Sequence, residues 1–424
     1  MYDLLPYLTA LPGLFIIVLG CLWLVGVNLP ESALTRSTKL LYALLSLGFG
    51  WLMFEANSFE VDLGSWFEIG SYHYPITLVA DKLSIPFAFM TVVLAGITGT
   101  FSQRYLHRDP GFFRFFLLLH VFAQGALIIF LAGSLDLLVA GWELVGISSV
   151  LLVGFFQYRR DPIRNALRVF ATYRVADVNI LMAILLLHCW YHTASWDDLV
   201  RGVWPNLSPA IQDSGITIIS ILLVLAASGK ASQGPFGGWL ARAMEGPTPS
   251  SAVFYGAISI HAGAYLLLRA APLILSSTLA QAVLIFIGAG TAIVGTLVHR
   301  TCTDAKTSIA YAAQTQLGII FVEIGLGWTT FAVWHIIGHA LLRMMQFLRA
   351  PSLLHDHHKL HAAAGGHLAS TGAHYERLLP PSIQLWLYRI ALARGFYDAA
   401  IDRFIVAPIQ AIGRVLAVSE RTSK

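Results

Sequence analysis

The run Leu-Val-Leu-Ala-Ala-Ser-Gly-Lys230-Ala-Ser-Gln-Gly-Pro235 sets a lysine inside an apolar stretch, with a proline five residues later. An ammonium buried in hydrocarbon is costly, so its first reading is part of an ion or proton pathway. Pro235 cannot continue a regular helix, so the run should break beside the charge and expose backbone groups to a wet interior. The plainer alternative is a lysine snorkelling to the membrane surface, since Lys230 lies near one end of its run. Desolvation disfavours the ammonium and a nearby carboxylate favours it, so moving one partner would switch its proton.

Three further constellations share that logic. Glu143 lies in mid-run in Gly141-Trp-Glu143-Leu-Val-Gly146, and Arg174 and Asp177 occupy the next run, where they could pair with it. A static ion pair that fixes packing would give the same pattern. His261 in Ile-Ser-Ile-His261-Ala-Gly-Ala-Tyr265 is either a hydrogen-bonded interior residue or a titrating one. His335, His339 and Arg343 recur at i, i+4 and i+8, which puts all three on one helix face. Lys306 opens the preceding run. Two histidines one turn apart can bind a metal, but no acidic or thiol companion accompanies them, so a basic stripe along a proton path is the stronger reading and no metal is expected. The later cluster His355-Asp-His357-His358-Lys-Leu-His361, with His367 and His374, reads as a solvated linker rather than a zinc site. Cys21, Cys189 and Cys302 show neither metal nor redox spacing.

The elements that must position these residues follow from composition. The 424 residues are 57% hydrophobic and only 12% charged, against about 25% charged in soluble domains. The chain is therefore expected to be an all-α polytopic membrane protein. Its formal charge of +4 sits in short loops and gives no sign of nucleic-acid binding. Runs of spanning length fall at 7–27, 38–54, 80–102, 113–133, 134–156, 167–190, 215–230, 250–270, 276–298, 307–327 and 331–349, predicting about eleven spans, or up to thirteen. The start shows no charged leader or cleavage site, and its first run is long enough to span. Pro247 and Pro249 mark a second break, just before the eighth run.

Alternate loops carry opposite charge. One set holds Arg36 and Lys39, then Arg104, Arg108 and Arg114, then Arg159, Arg160 and Arg164, then Arg242, Arg300 and Arg349. The other holds Glu55, Glu60, Asp62 and Glu68, then Asp197 and Asp198 with Arg201, then the uncharged 325–330. The positive-inside rule then places the N-terminus outside and the C-terminus in the cytoplasm. Four units follow: a first pair of spans at 1–54, an extracytoplasmic loop at 55–79, a polytopic core at 80–350 and a cytoplasmic or interfacial tail at 351–424.

The tail turns apolar and basic after Pro380-Pro381, with Leu387, Ile390, Leu392 and Phe396, then Phe404, Ile405, Pro408, Ile412 and Val415, at helical spacing. That pattern suits amphipathic helices lying on lipid or a partner, with a twelfth span as the alternative. Trp386, Tyr388, Phe396, Tyr397 and Arg403 are the candidate docking residues, because aromatic and arginine side chains anchor interfaces.

Between Phe59 and Leu353 the chain resembles the antiporter-like subunits of respiratory complex I and of Mrp antiporters, most of all the NuoL branch. The resemblance rests on Leu78-Val-Ala-Asp81-Lys-Leu-Ser84, Ala140-Gly-Trp-Glu143-Leu-Val-Gly146, Tyr173-Arg174-Val-Ala-Asp177, Lys230-Ala-Ser-Gln-Gly-Pro235, Ala243-Met-Glu-Gly-Pro-Thr-Pro249, Asp304-Ala-Lys306-Thr-Ser-Ile-Ala-Tyr311 and His335-Ile-Ile-Gly-His339-Ala-Leu-Leu-Arg343. It implies two inverted five-helix repeats, each with a broken helix, forming a proton-conducting core. Glu143 and Lys230 would be the paired carboxylate and lysine of the first half-channel, and Lys306, His335 and His339 the central connecting residues. Arg343 stands where NuoL has a lysine, and an arginine cannot give up its proton in practice. Tyr255 stands where NuoL has a histidine, while His261 is additional. The resemblance also implies that the spans after the eleventh, with their gating lysine, and the long lateral helix have no counterpart here.

That shortened form with a basic tail is similar to the DabB-type subunit of inorganic carbon transporters. The resemblance then implies a bacterial inner-membrane protein with no cofactor and no catalysis of its own. It would pass protons, or Na⁺, to drive a large cytoplasmic DabA-like zinc protein that hydrates CO₂. The alternative is a subunit of a complex I-like dehydrogenase or an Mrp Na⁺/H⁺ antiporter, and a third is a scaffold whose buried charges only pair.

Overall fold

The structure, a computed structural model, describes residues 4–27, 29–54, 58–69, 72–211, 214–363 and 379–397, with 399, 403, 404, 407, 408 and 411 beyond them. Every apolar run marked in the sequence is helical. The first are α1 (Leu4–Leu24), α2 (Glu31–Leu52), α3 (Ser84–Tyr105), α4 (Phe112–Leu131), α5 (Leu135–Val153) and α6 (Arg160–Tyr191). A short α7 (Trp196–Leu199) precedes α8 (Gly215–Lys230) and α9 (Trp239–Arg242). The eighth run is composite: α10 (Thr248–Ser250), a π-helical segment (Ser251–Ala257) and α11 (Ser259–Arg269). Then come α12 (Ala271–Leu275), α13 (Thr278–His299), α14 (Ala305–Gly325), α15 (Thr329–Ala363) and, in the tail, α16 (Pro381–Leu392).

Among the described residues, eight helices are long and apolar enough to cross a membrane. Three of the eleven marked runs fall outside that set. Of these, α8 is only 16 residues, about 24 Å long, and α2 and α14 are rich in Ser, Thr, Gln and charged residues. The bundle is helical as its composition requires, because backbone polar groups in lipid must be satisfied within the segment.

One element departs from an all-helical reading. The 55–79 segment carries an antiparallel hairpin, β1 (Phe59–Ile69) with β2 (Tyr72–Ala80). Its alternation Phe59-Glu-Val-Asp-Leu63 is the strand signal that its loop-like position obscured. A second small ladder joins β3 (Val200–Arg201) to β4 (Ser208–Pro209). The first hairpin is stitched to the α4–α5 turn, where Gly133 N donates to Thr77 O at 2.8 Å and Leu78 bridges Ala132. This end of the bundle is the hairpin face.

Small residues bring the helices close. A Cβ at either Gly288 of α13 or Gly318 of α14 would lie 2.5 Å from the other's carbonyl oxygen. Near the hairpin face, Asp81 joins the strand end to the core. Its Oδ1 accepts from the amides of Leu83 and Ser84 at 3.0 and 2.7 Å, capping α3. Its Oδ2 accepts from Arg269 Nη1 at 2.5 Å, and Arg269 donates to Tyr265 Oη, which in turn donates to Phe130 O. Both charged side chains are buried. Removing one partner leaves a buried charge, a loss of about 3–5 kcal/mol. Arg269→Met and Asp81→Asn are therefore each expected to lower the thermal unfolding temperature in detergent sharply, because each leaves the other's charge buried without its partner.

Candidate functional site

Lys230 is the last residue of α8, and Pro235 lies in the loop that follows, so the helix breaks where the sequence placed the charge. A broken helix leaves carbonyls unpaired, and neighbouring side chains take them up here. Gln314 of α14 donates Nε2 to Ser232 O at 2.5 Å and lies 3.3 Å from Gly237 O. Trp239 Nε1 donates to Gly229 O at 2.9 Å. Gly234 N donates to Thr291 Oγ1 of α13. Ser232 sits at φ 54°, the left-handed turn that reverses the chain. Pro247 caps α10 and Pro249 lies in its first turn, restarting the helix after Gly246. The loop is thus a break whose freed backbone groups are held by side chains of other helices.

The Lys230 side chain is 1% exposed and does not snorkel to a surface. Its Nζ donates to Trp142 O at 3.1 Å and lies 4.6 Å from the Trp142 ring and 4.8 Å from the Tyr173 ring. Both distances are within cation–π range. Trp142 also donates its indole N–H to Asp177 Oδ1 at 2.7 Å. Asp177 Oδ2 accepts from Arg174 at 2.8 Å, and Arg174 Nη1 meets Glu143 Oε2 at 2.5 Å. Glu143 therefore pairs with Arg174, as the sequence allowed, and reaches Lys230 only through Arg174, Asp177 and Trp142. Trp142 and Glu143 are consecutive on α5, about 100° apart around its axis, so the indole faces the core while the carboxylate stays partly open.

Beyond Lys230 lies an aromatic and hydroxyl lining. The Tyr173 and Tyr255 rings flank Trp239, with centroids 4.9 and 5.5 Å away. Ser259 adjoins the Tyr173 hydroxyl. The hydroxyls of Tyr173, Tyr255, Ser259 and Ser251 are all buried, and no hydrogen-bond partner meets those of Tyr255 and Ser251 among the described residues.

The π-helical segment shapes the next group. His261 N bonds to Ile258 O instead of Ala257 O, which frees Ala257 O for the His261 side chain. His261 Nδ1 lies 2.5 Å from Ala257 O, and Nε2 lies 2.9 Å from His339 Nδ1. His339 Nε2 lies 3.1 Å from Arg343 Nε. A guanidinium only donates and a carbonyl only accepts, so the proton positions follow. Arg343 donates to His339 Nε2, His339 Nδ1 donates to His261 Nε2, and His261 Nδ1 donates to Ala257 O. Both rings are neutral, because an added proton on either would oppose two N–H groups. Arg343 spreads its other nitrogens to Gln346 Oε1 at 2.6 Å and Ala312 O at 3.0 Å.

His335, one turn from His339, faces elsewhere. Its Nδ1 lies 2.8 Å from Glu323 Oε1 and its Nε2 3.1 Å from Gln316 Oε1, both on α14. The sequence reading found no acidic companion for the stripe. Glu323 is that companion, and its signal was a lone acid in Ile-Phe-Val-Glu323-Ile. Lys306 stands apart, with Nζ donating to Met244 O at 2.9 Å and Gly246 O at 3.0 Å. It clamps the second break, and the stripe meets α14 further on, at Ala312, Gln316 and Glu323.

In the tail, α16 packs on α13. Trp386, Tyr388 and Phe396 are exposed, as is Arg403, which stacks on Phe404. Tyr397 points inward instead, its ring against Gly234 and Gly237 of the break and its hydroxyl beside Thr291. Among the described residues no three His, Cys, Asp or Glu side chains are grouped to hold a metal. The side chains of His355, His357, His358 and His361, and all of His367, His374, Ile405, Ile412 and Val415, lie outside the described residues.

Comparison with known proteins bears on the same region. Residues 132–371, more than half of the chain, match the family model described as NADH:quinone oxidoreductase/Mrp antiporter, TM. Residues 66–116 match that of NADH-ubiquinone oxidoreductase (complex I), chain 5 N-terminus. NADH-ubiquinone oxidoreductase chain 5 of Hypocrea jecorina is 31% identical over 338 residues, covering 80% of this chain and 46% of the relative. A probable inorganic carbon transporter subunit, DabB1 of Halothiobacillus neapolitanus, is 33% identical over 299 residues, covering 70% and 52%. A chain of the Mrp complex from Dietzia sp. DQ12-45-1b superposes with TM-score 0.71 at 25% identity, covering 81% of this chain and 37% of that one. The chain spans about half the length of the curated relatives it matches.

Two outcomes test this geometry. Gln314→Leu removes the donor for Ser232 O and Gly237 O and is expected to destabilise the fold by about 1–3 kcal/mol, read as a lower unfolding temperature in detergent. Arg343→Lys keeps the charge but cannot hold three acceptors in one plane. The unfolding temperature in detergent should fall, by a loss of about 0.5–1.5 kcal/mol for each hydrogen bond given up, and a wild-type temperature would show that charge alone suffices.

Proposed function

This chain belongs to the NADH:quinone oxidoreductase/Mrp antiporter family, as a multi-pass, antiporter-like membrane subunit, and from that premise we propose that it conducts protons, and how it does so and what it drives. The observation that carries the proposal is Lys230, buried at a helix break and held by a carbonyl and two aromatic faces instead of a carboxylate. Asp177 and then Glu143 are the carboxylates that act on it most strongly. Movement of Arg174 between those two acids alters the field at Lys230 without moving the lysine. A proton released from Lys230 passes along the hydroxyls of Tyr173, Ser259 and Tyr255 towards the histidine group, where His335 is the ring whose two nitrogens both face oxygen. Water completes this path, since each buried hydroxyl left unpaired costs about 1–3 kcal/mol.

The coupled process is inorganic carbon accumulation. The support is the likeness to the DabB1 subunit and the exposed aromatic ridge of α16. In this reading the chain lies in a bacterial inner membrane, with the hairpin face outside and both α16 and the C-terminus on the cytoplasmic side. It holds no cofactor, and CO₂ hydration occurs on a large DabA-like zinc protein docked at Trp386, Tyr388, Phe396 and Arg403. Tyr397 is left out, because it packs inside its own chain. A second reading, a subunit of a complex I-like dehydrogenase or an Mrp antiporter, is favoured by the chain 5 relative and by the superposition on the Mrp complex.

Glu143→Gln and Lys230→Ala should each reduce proton flux in proteoliposomes to background while the protein remains in the membrane. Normal flux in either would remove that residue from the pathway. The two couplings separate on purification: Trp386→Ala with Tyr388→Ala should release a soluble zinc protein if the first reading holds. Copurification with further membrane subunits, unchanged by the substitutions, would favour the second.

A further inference from the structure

We propose that Glu323 is a proton-carrying carboxylate of this chain and that, with His335, it forms the port of the ion pathway at the hairpin face. The inference rests on the proton-conducting reading and adds to it a residue and an exit.

The fold brings the two groups together. Helices α14 and α15 run antiparallel through a short turn, with Glu323 two residues before the end of α14 and His335 six residues into α15. That turn lies at the hairpin face: Gln281 donates to Gly325 O, and the groove beside it is lined by Lys82, Trp204 and Thr330. The Glu323 side chain is 7% exposed and that of His335 21%, so both members of the pair are largely enclosed.

Two features separate this pair from a structural ion bridge. Glu323 Oε2 is buried, and no hydrogen-bond partner meets it among the described residues. A carboxylate kept only for stability would have both oxygens satisfied, because an uncompensated buried charge is costly. The other feature is proton placement. His339 and His261 are each held neutral by the one-way order of donors that Arg343 sets. Both nitrogens of His335 face oxygen, the Glu323 carboxylate and the Gln316 carbonyl. His335 is thus the ring of the stripe arranged to hold two protons. His339 and His261 are the titratable groups on its interior side, and the His335 and His339 ring centroids are 6.3 Å apart.

The step balances within the pair. The Nδ1–H bond of the imidazolium breaks and an O–H bond forms at Glu323 Oε1, so an ion pair becomes two neutral groups. The neutral acid then passes its proton to water at the face. Another carboxylate–histidine pair, Asp136 with His188 at 3.0 Å, also lies towards this face. Seven residues separate Asp136 from Glu143, about 10 Å along α5, whereas His335 and His339 are ring neighbours. The stripe therefore favours Glu323.

The test uses the purified protein with whatever subunits accompany it. Proton flux is measured in proteoliposomes for wild type, Glu143→Gln, Glu323→Gln and Glu323→Asp. The proposal expects Glu323→Gln to lower flux at least tenfold and Glu323→Asp to recover part of it. Loss in Glu143→Gln with wild-type flux in Glu323→Gln would overturn the port and leave the conduction reading standing. No flux in the wild type, or wild-type flux in both Gln variants, would overturn both. Infrared difference spectra across a pH step give a readout that folding alone does not move. A carboxylic C=O band should appear in the wild type and shift in Glu323→Asp. If Glu323→Gln does not fold, an unshifted band in Glu323→Asp overturns the proposal.

Discussion

A positive charge held inside an apolar bundle is the constraint on which the rest of this structure depends. The Lys230 ammonium has left water, and the chain compensates by turning a carbonyl and two aromatic faces towards it. That compensation requires α8 to end there, and the ending exposes carbonyls that must themselves be satisfied. Gln314 and Trp239 reach in from other helices to do so, and Thr291 accepts from the freed amide of Gly234. One desolvated charge thus dictates side chains on α5, α6, α13 and α14. The same economy recurs at Lys306, which meets the carbonyls of a second break.

Polar groups at depth are organised into two strings. The first runs Glu143, Arg174, Asp177, Trp142, Lys230, and each member bonds or stacks on the next. The second runs from Ala257 through His261 and His339 to Arg343. Between them stand the hydroxyls around Trp239. The first string alternates charges, so displacing one member changes the field felt by the others. The second is held by direction of donation alone, and its stability depends on the fork of Arg343.

Much of this was legible in the sequence because burial of charge is a strong signal. Lys230 with Pro235 announced the break, and the helical spacing announced the meeting of His339 with Arg343, while His335 on the same spacing turns to Glu323 and Gln316. The pairing of Glu143 with Arg174 followed from their neighbouring runs. The hairpin was hidden because a strand outside the membrane was read as the loop joining two spans. Gln314 and Gln316 gave no signal, since neutral amides in a helix carry none of the cost that marks a lysine. Glu323 did carry that cost, but it lay four residues from the end of its run at 327, where an acid is cheaper than at mid-run, and it was not singled out. Tyr397 was read as outward-facing with its neighbours, since periodicity assigns a face to a helix and ignores where that helix folds back. Lys306 was placed by resemblance, and its carbonyl partners depend on a turn that no spacing reveals.

The π-helical turn at Ser251–Ala257 has a consequence for how the histidines change state. By freeing Ala257 O it anchors one end of a row whose other end is a guanidinium. A row fixed at both ends in this way has a single permitted order of hydrogens. Reversing one ring alone would create a clash at its neighbour, so the two imidazoles must rearrange together or not at all. The pair behaves as a single element with one order of hydrogens, set from both ends by groups that cannot exchange donor for acceptor.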